Sequence, residues 1–149
     1  MSTTGRPLPQ LLGDARRWFE EALLATLAEA GAAPVSPTQT AVFAALDEEG
    51  TTVSELARRM GVTRQTAHQA VHGLIGIGLL EQAPDPASAR RRLIRRTPEG
   101  LRTHHLAERI LADLEQTLAR RLGPETVTAL RAALEAPWGE PPGPGGKTC

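Results

Sequence analysis

The chain has 149 residues, of which 40% are hydrophobic, 23% charged and only 3% aromatic, with no Tyr. That length suits one domain with a buried core, and Leu and Ala must fill it, which favours helices over a β-sandwich or barrel. No run approaches the roughly eighteen apolar residues of a membrane span, the first seven residues lack the apolar stretch of a signal peptide, and the single Cys149 excludes an internal disulfide. A cytoplasmic protein without a membrane partner is expected.

Formal net charge is zero but unevenly spread. Residues 51–102 hold nine Arg against four acids, a net +5, while residues 1–50 carry three Arg against seven acids and residues 103–149 five bases against six acids. A basic middle between acidic flanks fits either a face that meets a polyanion or an ordinary solvated surface.

From Leu11 to Ala30 apolar side chains recur at helical spacing through Leu12, Phe19, Leu23 and Leu27, which predicts an amphipathic helix ended by Gly31 and Pro34. Ser36-Pro37 opens a second helix, expected to run through Leu46 to a stop at Gly50. Thr52-Val53-Ser54-Glu55 is a capping box that starts a short helix over Val53–Met60, and Gly61 closes it. Thr63 caps a further helix reaching about Ile77. Leu79–Ala83 and Arg91–Arg96 then read as two short strands joined by a turn over Pro84–Ser88. Thr97-Pro98-Glu99 begins a long helix with a stripe through Ala107, Leu111, Leu114, Leu118 and Leu122, and a last helix follows Gly123-Pro124. Eight of the thirteen residues 137–149 are Pro or Gly, so a disordered tail is expected there.

Residues 56–67 have the mechanics of a helix-turn-helix. Ala57 is small where two helices cross, Gly61 permits a left-handed turn, and Leu56, Met60, Val62, Ala67, Val71 and Leu74 form the seam. Thr63, Arg64, Gln65, Thr66, His68 and Gln69 are left facing outward. Gln can bond adenine at two points, Arg can do so with guanine, and a Thr methyl can touch that of thymine. The competing reading is a protein-interaction module without DNA binding; a steep salt response marks the DNA binder. Arg90, Arg91, Arg92, Arg95 and Arg96 lie within seven acid-free residues, as in a β-wing that reaches phosphates or the minor groove, or else as a solvated edge strand.

The order of Val53-Ser54-Glu55-Leu56-Ala57, Val62-Thr63-Arg64-Gln65-Thr66, Gly78-Leu79-Leu80-Glu81, Asp85-Pro86-Ala87-Ser88 and Thr97-Pro98-Glu99-Gly100 resembles the MarR family of bacterial regulators over residues 10–135. The resemblance implies a mainly α winged helix-turn-helix over residues 8–136, with a DNA-binding core at 51–100 and dimerisation helices at 10–31 and 98–136. It implies a homodimeric repressor on double-stranded DNA with a palindromic operator, in many members released by a small phenolic or lipophilic effector. The apolar stripes of the terminal helices exceed what one winged-helix core can cover. Pairing them in a dimer sets two recognition helices about 34 Å apart.

Three departures stand out. Where the family's wing commonly reads Asp-Pro-x-Asp/Ser-Arg-Arg, the first Arg position is Ala89, so the groove interaction of that position is either absent or taken over by Arg91 or Arg92. Arg96 stands where a leucine is usual. Gly73, Gly76 and Gly78, each costing roughly 1 kcal/mol in a helix interior, mean that the end of the recognition helix frays or that Ile75 or Ile77 packs on a neighbour.

Trp18 and Phe19 are candidates for an effector pocket wall, as are His104 and His105 at the junction of winged and dimer helices; interface packing or a surface role is the plainer reading. His68 and His72 have i, i+4 spacing that can hold a metal, but no acid or Cys lies near in sequence, so base or phosphate contact and no metal is expected. No nucleophile elbow, phosphate loop, HExxH motif or carboxylate pair occurs, so neither an enzyme nor a cofactor is expected.

Overall fold

A computed structural model describes residues 5–144; Cys149 and the end of the Pro/Gly-rich tail lie outside them. The elements follow as α1 (Leu8–Glu29), α2 (Pro37–Ala45), α3 (Val53–Met60), α4 (Arg64–Gly76), β1 (Leu80–Asp85), β2 (Ser88–Arg96), α5 (Pro98–Leu122) and α6 (Pro124–Glu135). The chain divides into two compact units, one ending at Ala112 and one beginning at Asp113.

The first unit is built on a core of Val42, Phe43 and Leu46 from the α2 region, Leu56 from α3, Val71 and Leu74 from α4, and Leu79, Leu80 and Ile94 from the sheet and its entry. Leu56, Leu74, Val42 and Val71 are wholly excluded from solvent, each contributing about 1.5–3 kcal/mol of burial. The local signals work as their chemistry requires. Ser36 Oγ accepts from the Gln39 N–H (3.1 Å) while Gln39 Oε1 accepts from the Ser36 N–H (2.9 Å), and Thr52 Oγ1 accepts from the Glu55 N–H. Proline follows Ser36 at the first helical position.

Helix α2 ends at Ala45, not near Gly50. Leu46 turns out of the helix with ψ 132° and buries its side chain. Tertiary partners take the groups a further turn would use: the Asp47 N–H donates to Thr51 Oγ1 (2.9 Å), and the Ala45 carbonyl accepts from Arg59 Nη1 (2.8 Å). Thr51 then pairs with Ile94 through two backbone hydrogen bonds, adding a one-residue third rung to the sheet that periodicity could not reveal.

The hairpin is longer than the strands read from sequence. Leu80 to Pro84 pair in antiparallel register with Arg96 to Arg92, and a bulge follows at Pro84/Asp85. Asp85 Oδ1 accepts from the Ala87 N–H (2.9 Å) and tightens the turn. Helix α4 runs intact to Gly76, with Leu74 buried and Ile75 packed against the core, while Ile77 is exposed. Gly73 has a packing reason: a Cβ there would stand 2.6 Å from Nε2 of Gln39, whose side chain is held in the α2 capping box. Gly100 has a stronger one, since its Cβ would fall 1.9 Å from the Leu79 carbonyl oxygen, so only glycine lets the first turn of α5 lie against the entry to the wing.

Within the first unit, α1 buries Leu23 and Leu27 but leaves Leu8 and Leu11 exposed. In the second unit, α6 buries no residue; Leu130, Leu134 and Trp138 are exposed, and the Trp138 indole donates to the Ala133 carbonyl (2.8 Å).

Candidate nucleic-acid interface

The turn between α3 and α4 is fixed by Gly61 at φ 67°, ψ 33°, a left-handed conformation that costs a side chain free energy. Val62 N–H returns to the Ala57 carbonyl (3.1 Å), and Thr63 Oγ1 caps α4 by accepting from the Thr66 N–H (3.1 Å). Leu56, Ala57, Ala67, Val71 and Leu74 are buried at the crossing; Met60 and Val62 are half-buried beside them.

With that seam closed, Thr63, Arg64, Gln65, Thr66, His68 and Gln69 are all exposed, and His72 joins them one turn on. The two threonines are not equivalent to the others. The Thr63 hydroxyl donates to Thr66 Oγ1 (2.9 Å) as well as capping the helix, so Thr63 is chiefly a positioning residue, and Thr66 keeps its own hydroxyl proton and methyl for an outside partner.

Arg90, Arg91 and Arg92 are exposed on the wing. They line, with Arg64, Arg58 and the first turn of α3, a basic hollow of about 530 Å³ that joins the two elements singled out from sequence. Arg58 was missed as a site residue; its signal was the basic tail of α3, which places it on the hollow one turn after Glu55. The lone carboxylate there is Glu55, whose pKa is drawn down to about 2 by hydrogen bonds from Arg58 and then Arg59. It stays ionised and offsets one of the five arginines that line the hollow, which remains basic.

The other arginines of the basic middle are engaged internally. Arg59 forms a fork on Asp47 (2.9 and 3.0 Å) and reaches Glu55 (3.0 Å); its hydrogen bond is the main cause holding the Asp47 carboxyl below its ordinary pKa. Arg95 pairs with Glu81 at 2.8 Å. Arg96, the departure from the expected leucine, is half-buried and donates from Nη2 to the Phe43 (2.6 Å) and Leu46 (3.4 Å) carbonyls, with its guanidinium 5.9 Å from the Phe43 ring centroid. It therefore caps the C-terminus of α2, where a cation also meets the negative end of the helix dipole. Its Nε is buried with no partner among the described residues, and desolvation lowers its pKa. With Arg95 paired to Glu81 and Arg96 turned inward, Arg90, Arg91 and Arg92 are the exposed arginines of the wing without a carboxylate partner among the described residues.

The effector candidates do not gather. Phe19 lines a cleft of about 690 Å³ with Leu23 of α1, Ala41 and Ala44 of α2, Met60 of α3 and Leu111 of α5. Trp18 packs edge-on against Phe19 (4.9 Å between centroids) but does not line the cleft. His104 instead stacks on Phe43 (6.4 Å), and His105 is exposed beside it. His104 Nε2 lies 2.5 Å from Glu108, while burial, followed by Arg96, lowers its pKa against the pull of that carboxylate.

The MarR family model matches residues 33–91. No curated protein matches the sequence. Among solved structures, the transcriptional repressor CouR bound to a 23-mer DNA duplex is 26% identical, with a TM-score of 0.71 over 86% of this chain and 89% of that one. CouR from Rhodococcus jostii RHA1 bound to p-coumaroyl-CoA is 21% identical over 91% and 94% of the two chains, with a TM-score of 0.71. MepR, a regulator of the Staphylococcus aureus multidrug efflux pump MepA, is 20% identical over 87% and 94%, with a TM-score of 0.65.

Proposed function

We propose that the chain is a MarR-type winged-helix regulator, similar to the family over residues 33–91 and to the repressor CouR in fold, and that it is a sequence-specific DNA-binding transcriptional repressor acting as a homodimer on a palindromic operator. One observation carries the reading: Arg64 at the start of α4 and the three outer arginines of the wing line one basic hollow, in which the carboxylate of Glu55 is bound to Arg58 and Arg59. Arg90, Arg91 and Arg92 contact phosphate or the minor groove, taking the place of the arginine absent at Ala89, and Arg64, Gln65, Thr66, His68 and Gln69 meet base edges. The repressor CouR, matched with its duplex, supports this assignment.

The uncovered apolar side chains of α1 and α6 are suited to pairing with a second copy, which gives the two-fold axis a palindrome requires. The cleft beside Phe19 is proposed as the effector site. Its apolar wall fits a lipophilic or phenolic molecule, and Arg16, Arg59 and Thr40 supply polar contacts. The p-coumaroyl-CoA in the CouR structure is such a phenolic compound.

Fluorescence anisotropy with duplex from upstream of the protein's own gene, against a scrambled duplex and across a salt series, tests the reading. Tight, sequence-dependent binding that weakens steeply with salt is expected. Gln65→Ala or Gln69→Ala is expected to cost about 1–3 kcal/mol of discrimination at an adenine. Equal losses on operator and scrambled DNA would remove that residue from base readout, and no binding at any salt would return the protein-interaction reading.

A further inference from the structure

We propose that His68 and His72 form a two-nitrogen chelate for a divalent late transition ion, Ni²⁺ or Cu²⁺, on the exposed face of α4, and that the ion competes with DNA for that face. The second half rests on the DNA-binding reading above; the first does not. The i, i+4 spacing by itself predicts base or phosphate contact, because no acid or Cys lies near in sequence. Among the described residues no group of three or more metal-ligating side chains occurs. What the spacing could not show is that the two rings have turned toward each other. Their Nε2 atoms stand 2.9 Å apart, with centroids at 4.1 Å and planes inclined by 47°.

That separation has a specific meaning for coordination. With metal–nitrogen bonds of about 2.0–2.1 Å, two imidazoles at a cis angle of 90° have donor atoms about 2.9 Å apart, whereas a tetrahedral ion spreads them to about 3.4 Å. The pair therefore matches the square-planar or octahedral geometry of Cu²⁺ or Ni²⁺ better than that of Zn²⁺. Two neutral nitrogens also favour such ions over Mg²⁺ or Ca²⁺, which take oxygen donors. Helix α4 contains no carboxylate that could supply one.

In the metal-free pair, one ring carries its proton on Nε2 and donates to the bare Nε2 of the other. An ion replaces that shared proton, which passes to Nδ1 of its own ring, while solvent fills the remaining coordination positions. Both side chains are exposed, and the helix holding them is anchored by the buried Ala67, Ala70, Val71 and Leu74, so little ordering is needed before the ion binds.

Calorimetric titration of Ni²⁺ into the full chain carrying Cys149→Ser, which removes the one thiol, tests the chelate without DNA. One ion per chain is expected, with affinity at least about tenfold weaker in His68→Ala and in His72→Ala, and thermal melts confirming that both variants fold. Equal affinity in parent and single variants, no binding, or Zn²⁺ binding more tightly than both Ni²⁺ and Cu²⁺ would overturn the proposal. In the anisotropy assay, Ni²⁺ at ten times its dissociation constant is expected to weaken duplex binding about tenfold, and to leave His72→Ala unaffected. Unchanged duplex affinity in the parent protein would overturn the competition. Failure to bind duplex at all would count against the DNA-binding reading and not against the chelate, which is read without DNA.

Discussion

At the turn end of β2, Arg90, Arg91 and Arg92 are exposed and meet no carboxylate among the described residues. At its root, Arg95 is bound to Glu81, and Arg96 lies half-buried over Phe43 with its guanidinium on two carbonyls of α2. Five arginines within seven residues thus divide by what surrounds them and not by what they are. Arg92 pairs with Pro84 at the edge of the bulge and Arg90 and Arg91 lie beyond it, and all three side chains are exposed. The inner two sit where the sheet meets the helical core: Arg95 stays exposed but is held by Glu81, and the cost of half-burying Arg96 is offset by charge-assisted hydrogen bonds. Positive charge in a wing is therefore not a measure of its capacity for DNA: part of it holds the wing in place.

Five variants break or sharpen that contrast, taken in order of expected cost to the fold. Gly100→Ala forces a methyl group into the Leu79 carbonyl at the wing's root, and a loss of about 3 kcal/mol is expected from chemical denaturation. Arg96→Ala removes the cap from α2 and is expected to cost about 2 kcal/mol, since the Phe43 and Leu46 carbonyls lose their donor. Arg96→Leu should cost less, because it refills the apolar volume over Phe43 and removes the unpartnered Nε. An Arg96→Ala protein as stable as the parent would mean that the inner arginines are no more structural than the outer ones.

At the other end, the triple change of Arg90, Arg91 and Arg92 to Ala should leave stability within about 0.5 kcal/mol. The same variant should lower the slope of log K against log salt by about 0.9 for each phosphate that it no longer neutralises. An unchanged slope would remove the wing from the interface. The smallest effect is expected at Glu55, in the form of a pH dependence. Its folded pKa of about 2 lies below its ordinary value of 4.5. The stabilisation is therefore present above the unfolded pKa and fades as pH falls from about 4.5 toward 2. Glu55→Gln should flatten that part of the stability profile, as followed by thermal melts at stepped pH; because the pair is exposed, the change is small.

Several features of this site were readable without a fold. Ser36, Thr52 and Thr63 were recognisable as caps because each bonds a backbone N–H three residues on, and Gly61 as a turn because a left-handed residue is needed at that one point. The outward face of α4 followed from subtracting the apolar seam. The basic hollow was only half visible, since Arg58 and the wing lie about thirty residues apart in the chain, and no local pattern joins them. The four aromatic and histidine candidates are separated for a similar reason: Phe19 lines the cleft between α1 and α2, while His104 faces Phe43.

The sequence by itself determined the order of helices and strands, their caps and the helix-turn-helix, all of which rest on interactions within a few residues or on the period of apolar side chains. Only the tertiary structure decided which arginines remain outside, why Gly73 and Gly100 must lack a side chain, where α2 stops, and that His68 and His72 face one another. Arg96 illustrates the difference: its acceptors lie 53 and 50 residues away in the chain. Whether a guanidinium caps a helix or waits for a phosphate is settled by the groups that packing brings to it, and those are set by the whole fold.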